Sequence, residues 1–166
     1  AKFAAATNAA PFLEASEVAT APAGSLATPP TGTGADVYAW PHNETSTGVA
    51  APVVRPDGEA LTVVDGTSAA GALTIDPAQV GAYCFAPQKA LAADGGLWLA
   101  LLSPAAVERA ERIKASGRWI PEFLSLPTAI TNSRANQTLN TPTIATLELI
   151  AAQLDVLECS GGLPAA

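Results

Sequence analysis

Tyr83-Cys84-Phe85-Ala86-Pro87-Gln88-Lys89-Ala90-Leu91-Ala92-Ala93-Asp94-Gly95-Gly96-Leu97-Trp98-Leu99 sets one of the chain's three lysines between two apolar segments. Tyr83 to Ala86 reads as a short buried strand that Pro87 stops, and Leu97 to Leu102 reads as the next strand. Lys89 is then expected in a turn at a strand end, with apolar walls on both sides. Burial disfavours an ammonium ion and leaves a neutral amine able to condense with an aldehyde. Gly95 and Gly96 suit a tight turn or a close approach of backbone to a ligand. A lysine snorkelling out of a hydrophobic turn is the competing reading, and the stretch alone favours it.

Working outward, Ala60-Leu61-Thr62-Val63-Val64-Asp65 is a β-branched strand ending in a carboxylate and followed by Gly66-Thr67-Ser68. Open α/β sheets bind ligands at the carboxyl ends of their strands. An ionised Asp beside a ring nitrogen keeps a pyridinium protonated, and a lysine one crossover later can hold the same cofactor's aldehyde. Pyridoxal phosphate needs that pair. As a lone residue, Asp65 is better read as a helix N-cap without chemistry.

Four motifs in order resemble one family: His42-Asn43-Glu44-Thr45-Ser46-Thr47-Gly48, Val64-Asp65-Gly66-Thr67-Ser68, Phe85-Ala86-Pro87-Gln88-Lys89 and Leu139-Asn140-Thr141-Pro142. They look like the large domain of the phosphoserine aminotransferases, in particular the actinobacterial branch, over roughly residues 35–163. The resemblance implies a fold-type-I enzyme dependent on pyridoxal 5'-phosphate. It assigns Asp65 to the pyridinium and Lys89 to the cofactor aldehyde and the proton shuttle, as the catalytic residues. Thr45 would contact the cofactor near its ring oxygen, and Gln88 would help hold the phosphate. Asn140 and Thr141 would reach the cofactor phosphate of the neighbouring subunit in a homodimer. The reaction implied moves an amino group between glutamate and 3-phosphohydroxypyruvate, in serine biosynthesis. An ordinary Asx/ST turn explains the loop around Thr45, and capping explains Thr141, without any ligand.

Composition bounds the alternatives. With 49% hydrophobic residues in 166, one domain with a real core is expected. A net charge of -7 argues against nucleic acid or an anionic membrane surface as partner, since both need clustered Lys and Arg. Cys84 and Cys159 form no metal or disulfide framework and read as free thiols of a reducing cytoplasm. No apolar run approaches a membrane span. His42 is the sole histidine, but the amine of Lys89 can move the proton in transamination, so His42 is given the lesser claim on catalysis.

The remaining chain supplies the frame. Residues 1–34 read as a helix fragment followed by an Ala/Pro/Gly-rich loop or linker, residues 35–163 as part of the cofactor-binding large domain, and residues 164–166 as a tail. Asp36 to Trp40 is the first good strand. Ser68 to Asp76 reads as a short small-residue helix. Ser103-Pro104 opens a helix to about Ser116, with Val107, Ala110 and Ile113 as its buried stripe. The aromatics of residues 118–124 suit either core or a subunit interface. Pro127 to Leu139 reads as a polar loop. The last helix is expected to start with Thr141 as N-cap and run to about Cys159, with Ile144, Leu147, Ile150, Leu154 and Leu157 on one face.

The expectation is therefore an α/β, three-layer fold with a mostly parallel sheet flanked by helices, truncated at both ends and inactive by itself. Two rivals are another fold-type-I enzyme of the alanine–glyoxylate aminotransferase kind, and a non-catalytic structural or dimerising domain.

Overall fold

The computed structural model describes residues 16–27 and 32–165. In chain order its strands are β1 (Val37–Pro41), β2 (Asn43–Glu44), β3 (Val49–Ala50), β4 (Leu61–Asp65), β5 (Ala82–Phe85) and β6 (Leu99–Leu102). The helices are α1 (Pro104–Ala115), α2 (Leu126–Arg134) and α3 (Ile144–Cys159). β-Branched residues fill β4, where Thr62 and Val64 are buried.

The main sheet has the order β1-β4-β5-β6. β1 pairs parallel with β4, setting Pro41 opposite Asp65, and β4 pairs parallel with β5, setting Asp65 opposite Cys84. β6 returns antiparallel to β5. Three strands thus end on one edge of a mixed, mostly parallel sheet flanked by helices. The hairpin β2–β3, the turn after Asp65 and the turn holding Lys89 all leave from that edge. The expected fold class is borne out.

Val64, Val80 and Tyr83 form the buried cluster on one face, with Trp40, Val53, Ala70, Ile75 and Phe85 packed around it. Much of that cover comes from the β4–β5 crossover rather than from a helix. Residues 68–76, expected as a short helix, instead form turns. Gly71 adopts φ +89°, a left-handed course that a right-handed helix cannot continue, and an added Cβ there would lie 2.7 Å from Leu91. A 3-10 turn at Pro77–Gln79 follows, its start capped by Asp76 Oδ1 accepting from Ala78 N–H at 2.9 Å.

The helices correct three further expectations. Residues 127–139 are not one polar loop, because α2 occupies their first part. Ser125 Oγ caps it by accepting from Thr128 N–H at 3.3 Å, and Pro127 sits in the first turn, where a missing N–H is harmless. Thr141 is not the N-cap of α3. Thr143 is, with an extended backbone and no side-chain capping bond, so Pro142 lies outside the helix. The inward stripe of α3 is also rotated from the expected one. Thr146 is buried and Ile150, Gln153 and Leu157 are half-buried, whereas Ile144, Leu147 and Leu154 are exposed. In α1 the buried residues are Ala106 and Ala110, with Val107 and Ile113 at the margin. Arg109 of α1 reaches back to Asp36, at the start of β1, with an ion pair of 3.6 Å and a bond to the Asp36 carbonyl at 3.3 Å.

The expected helix at the start of the chain falls on residues 1–15, outside the described residues. Residues 16–27 carry only a turn, with Ser25 N–H donating to the Pro22 carbonyl at 3.0 Å. Leu163–Ala165 forms a final 3-10 turn.

Candidate active site at the carboxyl edge of the sheet

Asp65 is the last residue of β4, and its side chain is half-buried. Its Oδ1 accepts from Thr67 N–H at 2.9 Å, an Asx turn that fixes the carboxylate against its own strand end. Asp65 borders an open groove of about 290 Å³, lined also by Val63, Val64, Thr67, Cys84, Phe85, Ala86 and Trp98. A carboxylate held on one oxygen, with flat apolar walls beside it, is chemically suited to a protonated heteroaromatic ring. Its charge acts on its neighbours. Burial raises the Cys84 thiol above its ordinary range and the Asp65 charge raises it further; Tyr83 is raised by the same two causes in the same order.

His42, given the lesser claim on catalysis from sequence, meets Tyr83 at this edge. His42 follows β1 and is buried, its Nδ1 3.1 Å from the Tyr83 hydroxyl, with the two rings edge to face. Desolvation lowers the His42 pKa, which favours the neutral imidazole. The His42 backbone N–H donates to the Asp65 carbonyl at 2.8 Å. Ser68 Oγ donates toward the Asn43 carbonyl and Asn43 Oδ1, both at 3.0 Å, tying the β2–β3 hairpin to the turn after Asp65.

Lys89 stands in the turn after β5, as expected, and this turn is closed by Ala92 N–H to the Lys89 carbonyl at 2.9 Å and Ala93 N–H to the Pro87 carbonyl at 3.1 Å. The expected burial is not found. Lys89 is exposed, as are its neighbours Gln88 and Ala90, because the apolar side chains that turn inward are those of Pro87, Leu91 and Ala93. Thr45 is exposed on the β2–β3 turn, which Glu44 braces by accepting from Ser46 N–H at 3.1 Å and from Ser46 Oγ at 2.7 Å. Asn140 and Thr141 are exposed on the loop between α2 and α3, with Thr138 Oγ1 donating to the Asn140 carbonyl at 2.6 Å. The edge therefore gathers Thr45, Asp65, Gln88 and Lys89 on adjacent strand exits, and only Asp65 of the six lines the groove.

Sequence reasoning passed over Thr67, which holds the Asp65 carboxylate, and Tyr83, which meets His42. The signal for Thr67 was present in Asp-Gly-Thr-Ser, an Asx-turn sequence. Nothing in the sequence pairs residues 42 and 83. Among the described residues no group of His, Cys, Asp and Glu is arranged to hold a metal, and no helix is long and apolar enough to cross a membrane.

The family model for Aminotransferase class-V matches residues 31–165. This chain belongs to the class-V aminotransferases. A phosphoserine aminotransferase of Nocardioides sp. is 57% identical over 166 residues, covering 98% of this chain and 44% of its own length. A protein of Mycolicibacterium vanbaalenii, provisionally named a phosphoserine aminotransferase, is 59% identical over 165 residues, with coverage of 98% and 44%. Among solved structures, a phosphoserine aminotransferase of Cytophaga hutchinsonii superposes with a TM-score of 0.69 at 25% identity, over 76% of this chain and 37% of that one. The chain spans less than half the length of these relatives.

Proposed function

We propose that this chain is part of the large domain of a phosphoserine aminotransferase that moves an amino group between glutamate and 3-phosphohydroxypyruvate with pyridoxal 5'-phosphate. The observation that carries the chemistry is the exit of Asp65 and of the Lys89 turn from adjacent strands at one sheet edge, in a class-V aminotransferase chain. The choice of substrates rests on the names of the relatives, which favour this reading over the alanine–glyoxylate one.

The residues present fit the cofactor's ring. Pyridoxal phosphate, when bound, supplies an electron sink conjugated to a reactive aldehyde. Asp65, held by Thr67 N–H, keeps a proton on the ring nitrogen, while Phe85 and Trp98 shield the groove beside it. Lys89 would hold the cofactor at its aldehyde through Nζ, and its amine would serve as the group that moves the proton at the substrate α-carbon. It makes no ion pair among the described residues. Thr45 meets the ring oxygen and Gln88 the phosphate. Asn140 and Thr141, exposed on their loop, reach the phosphate of a second subunit in a cytoplasmic homodimer.

The isolated chain is not expected to turn over. Bidentate arginine contacts are the usual clamps for carboxylate and phosphate groups. None of the five arginines lines the groove, and Arg109 is engaged with Asp36. The complete protein, assayed with glutamate and either 3-phosphohydroxypyruvate or glyoxylate as acceptor, should strongly prefer the phosphorylated acid. Preference for glyoxylate would assign the other activity, and robust turnover by the 166-residue chain would show that the residues needed are all within it.

A further inference from the structure

We propose that His42 and Tyr83 are a positioning pair for Asp65, closing a ring of hydrogen bonds across the carboxyl ends of β1, β4 and β5 that fixes where the Asp65 carboxylate stands. The inference rests on the reading of Asp65 as the partner of the cofactor's ring nitrogen.

Three bonds make the ring. His42 N–H donates to the Asp65 carbonyl at 2.8 Å, tying the exit of β1 to the end of β4. Gly66 N–H donates to the Cys84 carbonyl at 2.7 Å, tying the residue after Asp65 to β5. The 3.1 Å contact between His42 Nδ1 and the Tyr83 hydroxyl joins β5 back to β1 and is the one side-chain link. Tyr83 also passes directly beneath the Asp65 turn. A Cβ at Gly66 would run into the Tyr83 ring, which occupies the space a side chain there would need. Both His42 and Tyr83 are buried, at 6% and 3% exposure, so water does not substitute for a lost bond at little cost. Desolvation favours the neutral forms of both, which leaves Asp65 without a competing buried charge at its back. A core histidine satisfied by a tyrosine would explain the 3.1 Å contact alone. The two backbone bonds continue the β1–β4 and β4–β5 ladders, and it is the Tyr83 ring packed under Gly66, joined to His42, that ties the pair to the turn carrying the carboxylate.

The test uses the complete protein, titrated with pyridoxal phosphate and followed by absorbance, with thermal melts to verify folding. Tyr83→Phe and His42→Leu should each weaken cofactor binding roughly 3- to 10-fold, the loss of one buried hydrogen bond. Each should also move the pH at which the absorbance of the bound cofactor changes, because a displaced Asp65 holds the ring proton differently. The double variant should be no worse than either single one, as expected for two ends of one interaction. His42→Asn, which keeps a polar atom near the Nδ1 position, should restore most of the effect. Wild-type affinity and an unmoved pH transition in folded Tyr83→Phe, or strictly additive losses in the double variant, would overturn the pairing. If His42→Leu fails to fold, Tyr83→Phe decides by itself, since it removes a single oxygen. Failure of the wild-type protein to bind the cofactor would instead overturn the reading of Asp65, and this inference with it.

Discussion

Asp65 sets a carboxylate at the rim of a largely apolar groove. Thr67 N–H bonds one of its oxygens, and the half-buried strand end holds the residue there. Asp65→Asn keeps the shape but loses the charge that holds a proton on a pyridine nitrogen. In the complete protein this variant should still bind pyridoxal phosphate, with turnover lower by orders of magnitude in a single-turnover and steady-state comparison. Near-normal turnover would reduce Asp65 to a turn-former. His42 gives a second expectation at this scale. Its pKa is lowered by burial, so the unfolded chain binds more protons than the folded one as pH falls below about 6.5. Its contribution to stability is therefore present at neutral pH and is lost on acidification. Denaturant unfolding between about pH 7 and pH 5 should show a falling stability that is flatter in His42→Asn, which has no proton to take up. An identical slope in the variant would mean that residue 42 is not the group titrating.

At the scale of the element, the helix starts differ in a way that mutation can read. Ser103 Oγ accepts from Ala106 N–H at 3.2 Å and Ser125 Oγ from Thr128 N–H at 3.3 Å, whereas Thr143 makes no capping bond. Ser103→Ala and Ser125→Ala should each cost about 1 kcal/mol in chemical denaturation of the complete protein, and Thr143→Ala clearly less. Equal costs at all three would contradict the cap assignments. These starts also show what sequence could and could not say. Ser103-Pro104 was legible because N-cap and first-turn signals stand next to each other and nothing competes. α2 was not, since Thr131, Asn132 and Ser133 look like loop residues until Ser125 and Pro127 are seen to begin a helix. The strands were the most legible elements, because short β-branched runs bounded by Pro and Gly leave few options. The orientation of α3 was unreadable for the opposite reason. Ile144, Leu147, Leu149, Leu154 and Val156 surround most of the helix, so periodicity alone does not select the inward stripe.

The whole molecule is a sheet edge bearing the candidate site, with broad apolar surfaces beside it. Trp119, Phe123 and Leu124 are each about two-thirds exposed, and α3 shows apolar residues on both flanks of its inward stripe. The chain spans less than half the length of the curated relatives it matches. The position of Lys89 on the edge was legible from Pro87 and the flanking apolar runs, but the burial expected from them is not found. The lysine's own turn leaves it exposed, because Pro87, Leu91 and Ala93 take the inward positions. Position and not burial is therefore what the assignment of Lys89 stands on, and it can be tested without assuming a substrate. The complete protein would be incubated with pyridoxal phosphate, reduced with borohydride, digested and mapped by mass. The account predicts the reduced pyridoxyl mass on the peptide containing Lys89. A tag on Lys2 or Lys114, with none on Lys89, would contradict it.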